Sequence, residues 1–398
     1  MNRILSIQNI EEAARELNKI NVSSQGVKVM ASKAIGLAIK LEKVKLGAAN
    51  ILKQEMLSIG GDAAVARGVV EGKEKVSDVI LLGNANKIKK IVRKLEFQTI
   101  FGLSEIKADL EKILNQVLEK SPRTLNCNGK EILLDKTRII GILNVTPDSF
   151  SDGNEFLNPE KAVEHAQKMI DEGADIIDIG GESTKPGAEE ISVQTEIQRV
   201  IPIIEKLSGK VPISIDTYKA EVAEAAIQAG ASIVNDISAL RFDKSMINVL
   251  KKYKYIPIIL MHMQGTPRTM QKKPFYEDTI KDVLFFLKER IDFCISNGIS
   301  KDRILIDPGI GFGKRHSDNL IILKKQKEFH CLNVPIVLGA SRKSFIGRIY
   351  DSTPKDRIEG SLAATALAMQ NDIHFVRVHD VKEHKQLLQT LEKVGEAI

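Results

Sequence analysis

From about Thr137 onward the chain alternates short β-branched runs with stretches of helical periodicity, and it does so eight times. The runs lie at residues 138–143, 175–179, 212–215, 232–234, 257–261, 304–306, 335–338 and 374–378. Helical patterns fill 159–172, 193–207, 219–229, 243–251, 277–297, 317–329 and 357–370, with a last one at 381–394. Several stop at glycine (Gly173, Gly230, Gly298), where a left-handed C-cap is expected. Eight strand-then-helix units over residues 136–398 predict an α/β chain built on a (β/α)8 TIM barrel. A doubly wound open sheet is the alternative, but it would normally show fewer units.

Residues 1–120 leave this rhythm. A helical pattern runs from 27 to about 58, breaks at Gly60-Gly61, and is followed by a strand-like 78–82 and helices at 86–95 and 104–119. This predicts an additional N-terminal α/β domain. Residues 121–135, with Asn126-Cys127-Asn128-Gly129 between two alternating runs, predict a hairpin and linker that cover the bottom of the barrel.

Composition narrows the function classes. With 398 residues, 43% hydrophobic and 28% charged, the chain is an ordinary folded one and not a disordered or repetitive scaffold. Its formal charge of +6 is spread thinly, and the cluster at 87–94 reads as one helix face, which gives nucleic acid little support. Cys127, Cys294 and Cys331 are widely spaced, as expected of reduced packing residues. The first ten residues lack a signal-peptide core, and no apolar run is long enough to span a bilayer, so a cytoplasmic protein with no membrane role is expected.

In such a barrel, active-site groups gather at the C-terminal ends of the strands. Asn144 follows the first run, the motif at 180–187 the second, Asp216 the third, Asn235-Asp236 the fourth and His262-Met263 the fifth. Asp307 with a glycine-rich stretch to Lys314 follows the sixth, Ser341-Arg-Lys-Ser344 the seventh, and Arg377-Val-His379 closes the eighth. One aspartate at a strand end is usually a helix cap. Eight polar endings in register instead describe a cavity with Asp216 and Asp307 at its base, Asn235 and Lys343 beside them, and Arg377 with His379 on the rim. Buried carboxylates and an amide suit a flat nitrogen heterocycle with ring N–H and amino donors, and rim cations suit a phosphorylated arm. The spacing Gly309-x-Gly-x-Gly313 is not a dinucleotide fingerprint, and no Cys/His metal cluster or Walker loop is present. Any metal is expected to be a hard cation held by phosphate and water, with Asn144 as a possible oxygen ligand.

Two motifs, Gly141-Ile-Leu-Asn-Val-Thr-Pro-Asp-Ser-Phe-Ser-Asp-Gly153 and Gly180-Gly-Glu-Ser-Thr-Lys-Pro-Gly187, together with residues 307–314, 341–344 and 377–379, resemble dihydropteroate synthase of the pterin-binding barrel superfamily. The resemblance covers about residues 124–398. It implies condensation of 6-hydroxymethyl-7,8-dihydropterin diphosphate with 4-aminobenzoate, a Mg²⁺ cofactor, a homodimer and a sulfonamide target. It implies that Asp216, Asn235, Asp307 and Lys343 hold the pterin while Arg377 stacks on it, and that Asn144, Arg377 and His379 meet the diphosphate and its Mg²⁺. Loops at 144–153 and 182–187 would bring Phe150, Asp152, Thr184, Lys185 and Pro186 near the aminobenzoate, whose carboxylate would face Ser344. Met263 and Phe312 complete the implied substrate contacts, and Asp216, Asp307, Lys343 and Asp152 the implied catalytic set. The family usually carries arginine where this sequence has Lys185. A corrinoid methyltransferase on the same barrel would not need the loops at 146–150 and 341–344, and a silent pterin-binding scaffold would not need polar groups at all eight strand ends.

Overall fold

The structure is a computed structural model that describes residues 1–7, 9–118, 123–146, 159–183 and 187–396. It divides into two compact units, Met1–Ser121 and Pro122–Ile398.

The second unit is an eight-stranded parallel barrel. Its strands are β1 (Arg138–Asn144), β2 (Ile176–Gly180), β3 (Ile213–Asp216), β4 (Ile233–Asp236), β5 (Ile258–Met261), β6 (Ile304–Asp307), β7 (Val337–Leu338) and β8 (Phe375–Val378). Neighbours in sequence pair in parallel, β8 pairs with β1, and a parallel bridge between Ile306 and Ile336 joins β6 to the start of β7. The runs in the sequence match these strands to within two residues, because each is a short β-branched stretch bounded by turn residues. Gly173, Gly230 and Gly298 all take positive φ at the ends of their helices.

Side chains alternate along a strand, so each barrel strand serves two cores. Ile139, Ile177, Ile213, Ile215, Val234, Leu260, Ile306 and Val376 pack outward against the helices. Ile140, Ile176, Ile233, Ile259, Leu305, Val337 and Phe375 point inward and form an apolar floor. Leu125, Cys127 and Ile132 of an antiparallel hairpin, Arg123–Cys127 with Lys130–Leu134, pack into that same floor. Each large apolar side chain buried there contributes roughly 1.5–3 kcal/mol, so the hairpin is part of the barrel's core. Burial pushes the thiols of Cys127 and Cys294 up to about 12, which suits inert packing residues. Cys331 is exposed and is not one.

The first unit holds a three-stranded antiparallel sheet with Val76–Asn84 between Gly36–Lys45 and Asp62–Val65. Helices Leu46–Ser58, Ala85–Leu95 and Leu103–Leu118 supply Leu52, Met56, Ile88, Ile91, Leu110 and others to its own core. The helical pattern expected over 27–58 is therefore corrected: only Ser24–Met30 and Leu46–Ser58 are α-helical, and a strand lies between them. A β-bulge explains the misreading. The register shifts between Leu41 and Val44, so Leu37, Leu41, Val44 and Ala48 acquire the four-three-four spacing of a helix face while the backbone is extended through most of that stretch. Among the described residues no helix is long and apolar enough to cross a membrane.

Candidate active site

One pleat above the apolar floor, two residues on from the floor positions, the strands present Ile142, Asp178, Asn235, Met261, Asp307, Gly339 and Arg377. The next pleat on β1 and β2 carries Asn144 and Gly180, which pair with each other, and β3 ends at Asp216 opposite Asn235. The polar layer thus follows from strand parity.

The layer is wired by Arg377. Its Nε donates to Asp178 Oδ2 at 2.6 Å and its Nη2 to Asp216 Oδ2 at 2.7 Å, while Asn235 Nδ2 donates to Asp178 Oδ2 at 3.1 Å. Asp178 Oδ1 and Asp216 Oδ1 are buried and have no hydrogen-bond partner, so they are acceptors available to a ligand's N–H groups. Across the barrel, Asp307 Oδ1 accepts from Gly309 N at 2.7 Å. Gly339 leaves room where three groups converge: a Cβ there would lie 3.6 Å from both Asp307 Oδ2 and Lys343 Nζ, and 3.9 Å from Arg377 Cβ. Lys343 Nζ donates to the Ile310 carbonyl and lies 4.7 Å from the centre of the Phe312 ring. Met263 packs with Ile237, Met261 and Met270, and Phe312 leans on this apolar wall.

Burial sets the protonation pattern. It pushes Asp216 up to about 7, against the pull of Arg377, and it also raises Asp307, against Lys343. It pushes Lys343 down to about 8, opposed by Asp307. Burial works against the Arg377 charge too, but Asp178 and Asp216 more than offset it and hold the guanidinium protonated. Above the layer, His379 Nδ1 meets Ser341 Oγ at 3.0 Å, and Arg342 pairs with Asp380 at 2.9 Å. Asn144 Oδ1 and Asp216 Oδ2 each lie 3.8 Å from a Cβ built on Gly180. Ser344 is exposed and is the first residue of helix Ser344–Tyr350.

The structure brings together Asp216, Asn235, Asp307, Lys343, Asn144, Phe312 and Met263, and it departs from the sequence expectation in three ways. Arg377 is not on the rim: it sits in the inward row of β8 and reaches the carboxylates of β2 and β3. His379 is not a rim cation, because burial, with Arg342 and Arg377 nearby, pushes its imidazole down to about 3. Asp178 was missed. It lies inside a strand, and the signal for it was a carboxylate in the otherwise apolar run Ile176-Ile-Asp-Ile179, which a buried strand tolerates only with a partner. Phe150, Asp152, Thr184, Lys185 and Pro186 lie outside the described residues.

Comparison with known proteins agrees with this geometry. The family described as pterin binding enzyme matches residues 140–379. The dihydropteroate synthase of Escherichia coli K12 is 44% identical over 270 residues, which cover 67% of this chain and 95% of that protein. A probable bifunctional folylpolyglutamate synthase/dihydropteroate synthase of Halobacterium salinarum is 38% identical over 379 residues, 95% of this chain and 45% of that protein, so its likeness runs into residues 1–121 as well. The Xanthomonas albilineans dihydropteroate synthase solved in complex with 7,8-dihydropteroate superposes with a TM-score of 0.63 at 40% identity, covering 69% of this chain and all of that one. With a family match over residues 140–379 and relatives this close over nearly their full length, the chain belongs to the pterin-binding enzymes and, among them, to the dihydropteroate synthases.

Proposed function

We propose that this chain condenses 6-hydroxymethyl-7,8-dihydropterin diphosphate with 4-aminobenzoate, releasing 7,8-dihydropteroate and pyrophosphate. The observation that carries this is the acceptor-rich layer, in which Asp178, Asp216 and Asp307 converge with Asn235 and two carboxylate oxygens have no donor. A dihydropterin offers an amino group and ring N–H groups at the matching edge.

In the mechanism we favour, the bond between the methylene carbon and the diphosphate oxygen breaks first, and the electron pair leaves with pyrophosphate. Electron release from the reduced ring stabilises the cation that remains, and the buried carboxylates surround it with negative potential. The aniline nitrogen then attacks, and its surplus proton passes to solvent, so no strong base is needed. Lys343 orients the ring from the Asp307 side, and Phe312 and Met263 exclude water. His379, neutral and bonded to Ser341, is a hydrogen-bond donor or acceptor for the leaving group. The resemblance further assigns Phe150, Asp152, Thr184, Lys185, Pro186 and Ser344 to the aminobenzoate side.

A Mg²⁺ fits the donor set. Asn144 Oδ1 is a neutral, hard oxygen on the same edge of the site as Asp216, a donor that suits a hard cation held chiefly by diphosphate and water. Asn144 Oδ1 is the protein oxygen that would hold it. When bound, the ion neutralises charge on the departing diphosphate. With both substrates and Mg²⁺, pyrophosphate and dihydropteroate should form in equal amounts, and excess chelator should stop turnover. No pyrophosphate would remove the proposed reaction, and undiminished rates in chelator would remove the metal.

We also propose a cytoplasmic homodimer joined through the barrel, with residues 1–120 as an additional domain. Helix His316–Lys325 packs against Ser344–Tyr350 and Ile358–Gln370, and Leu320, Ile321, Ile349, Tyr350 and Leu367 on these three helices are exposed, apolar surface that a contact with a second copy would cover. A chain beginning at Pro122 should fold, and both it and the full chain should sediment as dimers. A monomeric full chain, or a shortened chain that never folds, would overturn the corresponding half of this proposal.

A further inference from the structure

Lys314 is 3% exposed, yet its hydrogen-bond partners among the described residues include no carboxylate. Its Nζ lies 2.8 Å from His262 Nδ1, 3.1 Å from the Phe312 carbonyl and 3.4 Å from the His262 carbonyl. Those acceptors belong to two loops, the one after β5 and the one after β6. The loops meet there backbone to backbone: a Cβ on Gly309, whose φ is +70°, would lie 1.9 Å from the His262 carbonyl oxygen.

Three more carbonyls of the β6 loop are held by side chains. Ile310 accepts from Lys343 Nζ, Gly311 from Gln271 Nε2 at 2.8 Å, and Gly313 from Tyr276 Oη at 2.7 Å. The loop therefore runs between two lysines, Lys343 toward the pocket and Lys314 behind it. Burial, with Lys314 and Arg241 close by, holds His262 well below its ordinary range, and in the Nε2–H tautomer of that neutral ring Nδ1 offers a lone pair to the lysine. A buried lysine that meets only neutral acceptors is a poor source of stability, and an apolar side chain of the same length would serve the core better.

If the pocket takes a pterin as proposed above, we infer that Lys314 is a positioning residue for it, tying the loop after β6 to the loop after β5 and so fixing the Phe312 ring and the Ile310 carbonyl against Lys343. Lys314 itself touches no substrate.

The test is a double-mutant cycle in the full chain with Lys314→Met, His262→Phe and the two combined, read by fluorescence titration with the dihydropterin diphosphate and by steady-state kinetics. Lys314→Met is expected to raise the pterin Kd and the KM for the pterin substrate about tenfold, with the KM for 4-aminobenzoate within about twofold of wild type. His262→Phe keeps the ring against Phe286 but removes the acceptor, so it should act the same way, and the double variant should be no worse than either single one. A pterin Kd unchanged in Lys314→Met, equal effects on both KM values, or additive effects would overturn the inference. Should Lys314→Met fail to fold, an unchanged pterin Kd in His262→Phe overturns it alone. Wild type that binds no pterin would instead bring down the functional proposal on which this one stands.

Discussion

Asp307→Asn is expected to weaken binding of the pterin substrate about 100-fold, with the KM for 4-aminobenzoate and the fold nearly unchanged. Asparagine keeps the shape, and its carbonyl oxygen can still accept from Gly309 N, which lies 2.7 Å from the carboxylate now. Its other terminus then becomes an NH₂ donor, facing the Lys343 ammonium and the donors of the bound ring. Two donors that meet in a dry site lose the bond and repel. Lys343 also loses the carboxylate that opposes its burial, so its pKa, now about 8, falls. Less of it is protonated at a given pH, and the alkaline limb of pterin binding moves to lower pH. Stability responds less, because the loss of a counter-charge for Lys343 is offset by removal of a carboxylate whose own pKa burial has raised. Fluorescence titration across pH 6–9 with parallel melting curves checks this. An affinity within about threefold of wild type would take Asp307 out of the pterin contacts.

The barrel was legible because its signal is local: each strand is a β-branched run, and each helix end carries its glycine. The floor of the site was legible for the same reason, since Asp216, Asn235 and Asp307 each directly follow a β-branched run and are the last or next-to-last residues of the strands. Asp178 was not, because it lies within its run and not past its end; its signal was a lone carboxylate among apolar residues, on the same face as the floor residue Ile176. Where Arg377 points, and that His379 is neutral, depend on reach and burial, which a sequence does not carry. Lys314 reads as the polar end of a glycine-rich loop. Its burial arises because Gly309 lets one backbone touch another, a contact between residues far apart in sequence. In the first unit a bulge turned a strand's alternation into helical spacing, and no local pattern separates the two.

Arg377→Met should cost about 3 kcal/mol or more of stability at pH 8 in addition to abolishing turnover, because it leaves Asp178 and Asp216 buried together without a cation. The effect has a definite pH sign. Burial already raises the Asp216 carboxyl to about 7 with Arg377 pulling it down; without the guanidinium it rises further, and Asp178 repels it. A carboxyl whose folded pKa lies above its unfolded value favours folding fully below the unfolded pKa, and that contribution is lost as pH rises through the folded one. The melting temperature of Arg377→Met should therefore lie near that of wild type around pH 5 and fall behind it progressively toward pH 8. Converting Asp178 to asparagine in the same chain removes one of the two charges, and should recover part of the loss at pH 8 without restoring activity. A residue that only met the diphosphate would behave otherwise: its removal would leave the melting curve of the ligand-free protein unchanged, or shift it by the same amount at every pH, and the proposed wiring of the pocket floor by Arg377 would have to be abandoned.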